Sequence, residues 1–215
     1  MVVVFDLDNT LYDELTFAYG GFRAVASFLS PLLGESQGSI FEELKELLTI
    51  QREFVFDRFL QKRGVASQRL VLRCLSLYRC HEPHLNLYPE AKECLKRLKG
   101  IPLYVITDGN KSVQRRKCQA LMFDTKVKKC LCTHAYGIIH AKPSPYCLLK
   151  ICEWEKVSPK DVIMVGDNPH KDFVGIKPLG FQTVRVLTGP FKDVKVSKEY
   201  EADIIIPSLA QFRLS

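Results

Sequence analysis

The sequence contains no run of about 18 apolar residues, which excludes a membrane-spanning helix. Its start, Met1-Val2-Val3-Val4, lacks the basic residues and long apolar middle of a signal peptide, so no secretory leader is expected. No internal repeat or low-complexity segment stands out. At 215 residues, one domain or one domain plus a smaller insert is expected. A secreted disulfide scaffold does not fit. The eight cysteines are scattered, and Cys74, Cys94, Cys147 and Cys152 sit in apolar contexts. Reduced thiols in a cytoplasmic protein are the simpler expectation. Hydrophobic content of 47% and charged content of 26% are ordinary for a globular chain.

Acidic residues are outnumbered, and the formal net charge is +7. The surplus is dispersed: Arg69, Arg73 and Arg79; Lys111, Arg115, Arg116 and Lys117; Lys126, Lys128 and Lys129. Solvated helix faces are the default reading of such groups. A field attracting small anionic substrates comes second and nucleic-acid binding third.

What is present begins at the first residues. Val2-Val3-Val4-Phe5 runs into Asp6-Leu7-Asp8-Asn9-Thr10. A continuous β-branched run reads as a strand buried on both faces of a parallel sheet. At a strand's period of two, Asp6 and Asp8 point to the same side. They lie at the carboxyl edge, where ligands bind in open α/β sheets. Two acids so close call for a cation or a shared proton, and magnesium suits carboxylate oxygens. Taken alone, this stretch reads better as a strand that simply ends in a turn; the rest of the chain shifts the balance.

Helical spacing follows over Leu15–Leu33, weakened and open to a break at Gly20-Gly21. A longer helix is predicted from Ser39 to Arg63, with Ser39 and Glu42 as a capping box, and a third from Ser67 to Cys80. Strand–helix alternation then takes over. The predicted order is a helix from Pro89 to Lys99, strand IPLYVIT, a helix from Lys111 to Met122 and a short strand from Lys128 to Thr133. A helix capped by Ser144 and running to Lys156 comes next, then strand VIMVG, a short helix from Lys171 to Lys177, and strands QTVRVL and ADIII. This pattern predicts an α/β fold: a Rossmann-like, doubly wound parallel sheet over residues 1–12 and 87–215, with an inserted all-helical block over 13–86.

Three further polar groups fall at strand ends. Thr107-Asp108-Gly109 offers a hydroxyl and a glycine turn whose N–H groups can aim at an anion, although a plain turn accounts for it equally well in isolation. Lys142, ahead of Pro143, can place a point charge on a phosphate, although in isolation a solvated loop lysine is the better reading. Asp167 abuts VIMVG, and Asp172 follows in the next turn. Two acids so spaced can add to a metal site.

DLDNT, the Thr of VITDG, the Lys of AKPSP and GDNPHKD occur in the order of the four motifs of the haloacid dehalogenase superfamily, which the chain resembles over nearly its whole length. The resemblance implies a phosphatase of the branch with a subfamily-I helical cap. It further implies an aspartyl-phosphate on Asp6, Asp8 as general acid and base, and Thr107, Asp108, Gly109 and Lys142 around the phosphoryl group. Magnesium would sit among Asp6, the Asp8 carbonyl and Asp167, with Asp172 in support. Dehalogenases of the superfamily lack the acid at Asp8 and need no metal, so the resemblance favours phosphate chemistry.

The expected substrate is a small phosphorylated metabolite, a sugar phosphate before a nucleoside monophosphate. A hexose phosphomutase, a nucleic-acid-end phosphatase and a non-catalytic binding module of the same fold are the alternatives. Nucleic acid and membrane are not expected partners. Phe17, Tyr19, Arg23 and Arg52 fall in the predicted cap, where they could meet substrate or simply pack. His170 could touch substrate, though it reads first as a surface loop residue. Cys130, Cys132 and His134 alternate as if on one strand face, but their spacing is tighter than common zinc sites, and a buried strand bearing thiols explains them better.

Overall fold

A computed structural model describes residues 1–214. In chain order the elements begin with β1 (Val2–Phe5), α1 (Glu14–Leu33), α2 (Gln37–Ile50), α3 (Val55–Gln61), α4 (Gln68–Cys80) and α5 (Pro89–Arg97). Then come β2 (Leu103–Thr107), α6 (Lys111–Ala120), β3 (Lys129–Cys132), α7 (Tyr146–Glu155), β4 (Val162–Gly166), β5 (Gln182–Val186) and β6 (Ile204–Ile206). The chain divides into two compact units, one of Met1–Glu14 with the chain from Leu85 onward, the other of Leu15–His84.

The first unit is a parallel sheet in the order β3-β2-β1-β4-β5-β6. All residues of β1, β2 and β4 are buried, as their unbroken apolar runs require. Val2 and Val4 face one side with Tyr104, Ile106, Val162 and Met164, against Leu148 and Ile151 of α7. On the other face the Phe5 ring meets Phe212 edge-on at 6.1 Å. The chain steps outward from β1 to β3, then returns to the opposite side of β1 at β4. That reversal opens a crevice beyond the carboxyl ends of β1 and β4, and Asp6 and Asp167 immediately follow those two strands.

Residues 171–176 form hydrogen-bonded turns, not the expected helix. A Cβ at Gly175 would lie 1.9 Å from the Pro143 carbonyl oxygen, so this backbone is pressed against the loop that carries Lys142. α7 begins at Tyr146, two residues beyond the expected cap Ser144, whose hydroxyl accepts only a 3.4 Å bond from the Tyr146 N–H. β3 is the edge strand, so Cys130 and Cys132 are half-buried where a buried strand was expected, and His134 lies in a 3-10 turn beyond it.

In the helical unit, Phe22, Val25, Leu29, Ile40, Leu44, Phe56, Phe59, Leu60 and Cys74 form the core. α1 runs unbroken through Gly20-Gly21. These glycines let partners approach: a Cβ at Gly21 would lie 2.4 Å from the Tyr78 ring, and one at Gly20 2.8 Å from His81. The helix expected over 39–63 is two helices. Phe54 adopts a left-handed conformation between them (φ 55°), and Arg58 donates to the carbonyls of Leu47, Gln51 and Glu53 there. Ser36, not Ser39, caps α2, accepting from the Ser39 N–H at 3.1 Å. Ser67 caps α4.

Candidate active site

β1 ends at Phe5, and the Asp6 N–H still bonds the Val165 carbonyl at 2.8 Å, which ties this acid to the end of β4. The Lys142 amine donates to Asp6 Oδ1 and, at 2.7 Å, to Asp172 Oδ1. Asp172 Oδ2 accepts the Asn168 N–H at 3.0 Å. Gly166 makes room for this carboxylate, since a Cβ there would lie 2.3 Å from Asp172 Oδ2. The Thr10 hydroxyl lies 3.1 Å from Asp6 Oδ2 and 3.4 Å from Asp167 Oδ1. Asp6, Asp167 and Asp172 are buried, and one oxygen from each falls within 4.8 Å of the others.

One lysine does not balance three buried carboxylates. Burial raises Asp6, Lys142 pulls it back, and the charges of Asp172 and Asp8 raise it again, leaving it at about 7. Burial and the charges of Asp6 and Asp172 raise Asp167 to about 9. Burial opposes the charge on Lys142, but Asp172, Asp6 and Asp108 outweigh it and raise its pKa. Asp167 Oδ2 is buried with no hydrogen-bond partner. Hard oxygen donors, excess negative charge and an orphaned oxygen fit a divalent cation held by Asp6, Asp167 and Asp172.

The second expected acid stands apart from this group. Asp8 lies beyond the strand, in a turn where Asn9 has φ 62° and the Asn9 N–H bonds the Tyr12 carbonyl at 2.9 Å. Strand periodicity therefore does not govern its direction. Its Oδ1 accepts from the Tyr12 hydroxyl and, at 2.7 Å, from the Lys117 amine; its Oδ2 accepts from Gln114 Nε2 at 3.0 Å. Burial by itself would raise Asp8, but the charge and hydrogen bond of Lys117, with Tyr12 and Gln114, hold it below the usual carboxylate range.

At the end of β2 the Thr107 hydroxyl is buried and has no partner. The Asp108 side chain braces the site from behind this turn. Its Oδ1 accepts from the Thr133 hydroxyl at 2.6 Å and from the Lys142 N–H at 3.1 Å, fastening β2 to the lysine loop. Gly109 has φ 119°, a backbone conformation that suits glycine. Thus Asp6, Lys142, Asp167 and Asp172 meet directly, Asp8 flanks them, and Asp108 links Lys142 to the turn of Thr107 and Gly109.

Thr10, Tyr12, Gln114 and Lys117 escaped the sequence reading. Lys117 read as part of a solvated face, yet it is buried. The available signal was its spacing from Gln114 and Cys118, which places all three on one face of α6. His170 is exposed, with its ring 5.8 Å from Tyr200 and 6.3 Å from Phe191. Within the helical unit, the Phe17 ring lies 4.6 Å from that of His81, tilted by 55°, and the Arg23 guanidinium lies 4.8 Å over Phe41, which also packs on Tyr19. Arg52 is exposed just after α2.

Residues 1–180 match the family model described as haloacid dehalogenase-like hydrolase. A glyceraldehyde 3-phosphate phosphatase of Pyrococcus furiosus is 27% identical over 218 residues, covering 98% of this chain and 90% of that protein. A phosphoserine phosphatase of Thermus thermophilus is 32% identical over 141 residues, 64% of this chain and 55% of that protein. Among solved structures, a 2-haloacid dehalogenase of Pseudomonas syringae superposes with TM-score 0.66 and 26% identity, covering 98% of this chain and 96% of that one.

Proposed function

The chain belongs to the haloacid dehalogenase-like hydrolases, and within that family we propose that it is a magnesium-dependent phosphatase of small phosphorylated metabolites. The carrying observation is the buried group of Asp6, Asp167 and Asp172 around Lys142, beside a separately held Asp8. The relatives named as phosphatases of three-carbon phosphates support the same class and put triose and other sugar phosphates first among substrates.

In this reading an Asp6 oxygen bonds to phosphorus as the bond from phosphorus to the leaving oxygen breaks, and Asp8 gives that oxygen its proton. The charge of the arriving phosphoryl group beside Asp8 favours its protonated form for this half. Water then attacks phosphorus, its proton passes to Asp8, and the bond from phosphorus to Asp6 breaks, releasing phosphate and restoring both acids. Lys142, the Thr107 hydroxyl and the N–H groups of the Asp108-Gly109 turn hold the phosphoryl oxygens as charge shifts. Asp6, Asp167 and Asp172 would hold magnesium, which supplies positive charge against the phosphoryl oxygens and the Asp6 carboxylate.

Dehalogenases of the family are the second reading, favoured by the solved structure reported above. Asp8 argues against it, because the resemblance implies that dehalogenases lack this acid. The test is hydrolysis of three-carbon phosphates, hexose phosphates, nucleoside monophosphates and phospho-oligonucleotides, with and without magnesium, for the wild type and Asp6→Asn. Magnesium-dependent phosphate release that Asp6→Asn abolishes is expected. Turnover of a 2-haloacid, or silence across the panel with magnesium bound, would sink the proposal.

A further inference from the structure

We propose that Lys117 and Gln114 of α6 are positioning residues that fix the Asp8 carboxyl against the phosphoryl-holding turn. This rests on the phosphatase reading above. The geometry carries it in three ways. First, Lys117 is a buried lysine whose amine lies 2.7 Å from Asp8 Oδ1, where the Tyr12 hydroxyl also donates. A charge so placed is retained only with a matched partner. Second, the Gln114 amide nitrogen donates to two acceptors at once, Asp8 Oδ2 and the backbone carbonyl of Asp108. One amide therefore ties the acid to the turn that follows Thr107. Gly109 lies over the same amide, since a Cβ there would come 3.2 Å from Gln114 Nε2. Third, Asp8 is absent from the three-carboxylate group, and both of its oxygens accept from these donors instead.

The donors are distributed unevenly. Oδ1 takes two and Oδ2 takes one, which leaves Oδ2 the freer oxygen. Oδ2 is the atom assigned to exchange the proton with the leaving oxygen and later with water. Lys117 and Gln114 do not themselves touch the reacting atoms in this scheme. They set where Asp8 can reach.

The test uses p-nitrophenyl phosphate with saturating magnesium. Its leaving group departs with little help from an acid, so attack by Asp6 is spared while the water step still needs Asp8. Lys117→Met and Gln114→Met should each lower kcat by about tenfold or more, up to the ~10²–10⁴ that acid–base catalysis supplies as a whole. At the same time, phosphorylated Asp6 trapped by acid quench should accumulate above its wild-type level. Lys117→Arg, which keeps a cationic donor, should recover part of kcat.

A fall in kcat without accumulation, or no change in either, would overturn the proposal. Should Lys117→Met fail to fold, Gln114→Met carries the test, because it removes no charge from the buried pair. Loss of Asp6-dependent turnover in the wild type would instead overturn the phosphatase reading, and this one with it.

Discussion

Cation binding at the carboxylate group should expel protons, and the number is set by the site. Asp6 at about 7 and Asp167 at about 9 both lie above the ordinary 3.8 of an aspartate. The folded protein holds these protons over a range where the unfolded chain has lost them. The metal-free protein therefore loses stability as pH rises from about 4 through 7 and on toward 9, and gains nothing from these groups below that window. An ion that needs the carboxylates ionised releases about two protons below pH 7 and about one between 7 and 9. Its affinity should climb by about 10²–10³ between pH 6 and 8. At an ion concentration of 100 times Kd, stabilisation is about 2.7 kcal/mol, which raises Tm by roughly 5–10 °C for a chain of this size. Calorimetric titration with magnesium in two buffers of different ionisation heat counts the protons, and melting with and without the ion measures the stabilisation. A heat independent of buffer across this range, or a Tm indifferent to magnesium, would refute the reasoning.

Two paired substitutions probe the backbone around the two units. Gly189 has φ 62°, and a Cβ there would lie 2.5 Å from Asn9 Cβ and 3.2 Å from Asp167 Oδ2. Gly189→Ala should weaken magnesium binding by about 10–100-fold, whereas Gly180→Ala, equally left-handed but with nothing within 4 Å, should leave it unchanged; a magnesium titration of both separates displacement of Asp167 from backbone strain. In the helical unit, Gly21→Ala drives a Cβ to 2.4 Å from Tyr78 and should destabilise by about 1–2 kcal/mol even after the gain in helix propensity. Gly38→Ala, whose nearest neighbour would be 4.0 Å away, should stabilise by about 0.4–1 kcal/mol; denaturant midpoints of the two should move in opposite directions.

The sheet and most of the reactive group were legible because their signals are local. An apolar run followed at once by a polar residue marks a buried strand end, and Asp6, Thr107 and Asp167 each stand just there. Lys142, which on its own reads as a solvated loop lysine, was singled out by its place in the order of the four motifs. What escaped depended on partners distant in sequence. Lys117 and Asp8 are 109 residues apart, and helix spacing alone does not tell a buried lysine from a solvated one. Thr10 was visible, but its role depends on Asp167, 157 residues away. Gly20-Gly21 read as a helix breaker because helix propensity registers the missing side chain and not the Tyr78 and His81 rings that occupy its space. The break between α2 and α3 turns on Phe54 holding a left-handed conformation, which no glycine announces.

The central claim is that Asp6 becomes covalently phosphorylated. The direct measurement is to quench the enzyme during turnover of a phosphate ester with magnesium, reduce with borohydride and map the product by mass spectrometry. Conversion of Asp6 to homoserine, absent without substrate, is the result this account predicts. Phosphate release with Asp6 unmodified, or reduction at a different carboxylate, would contradict it.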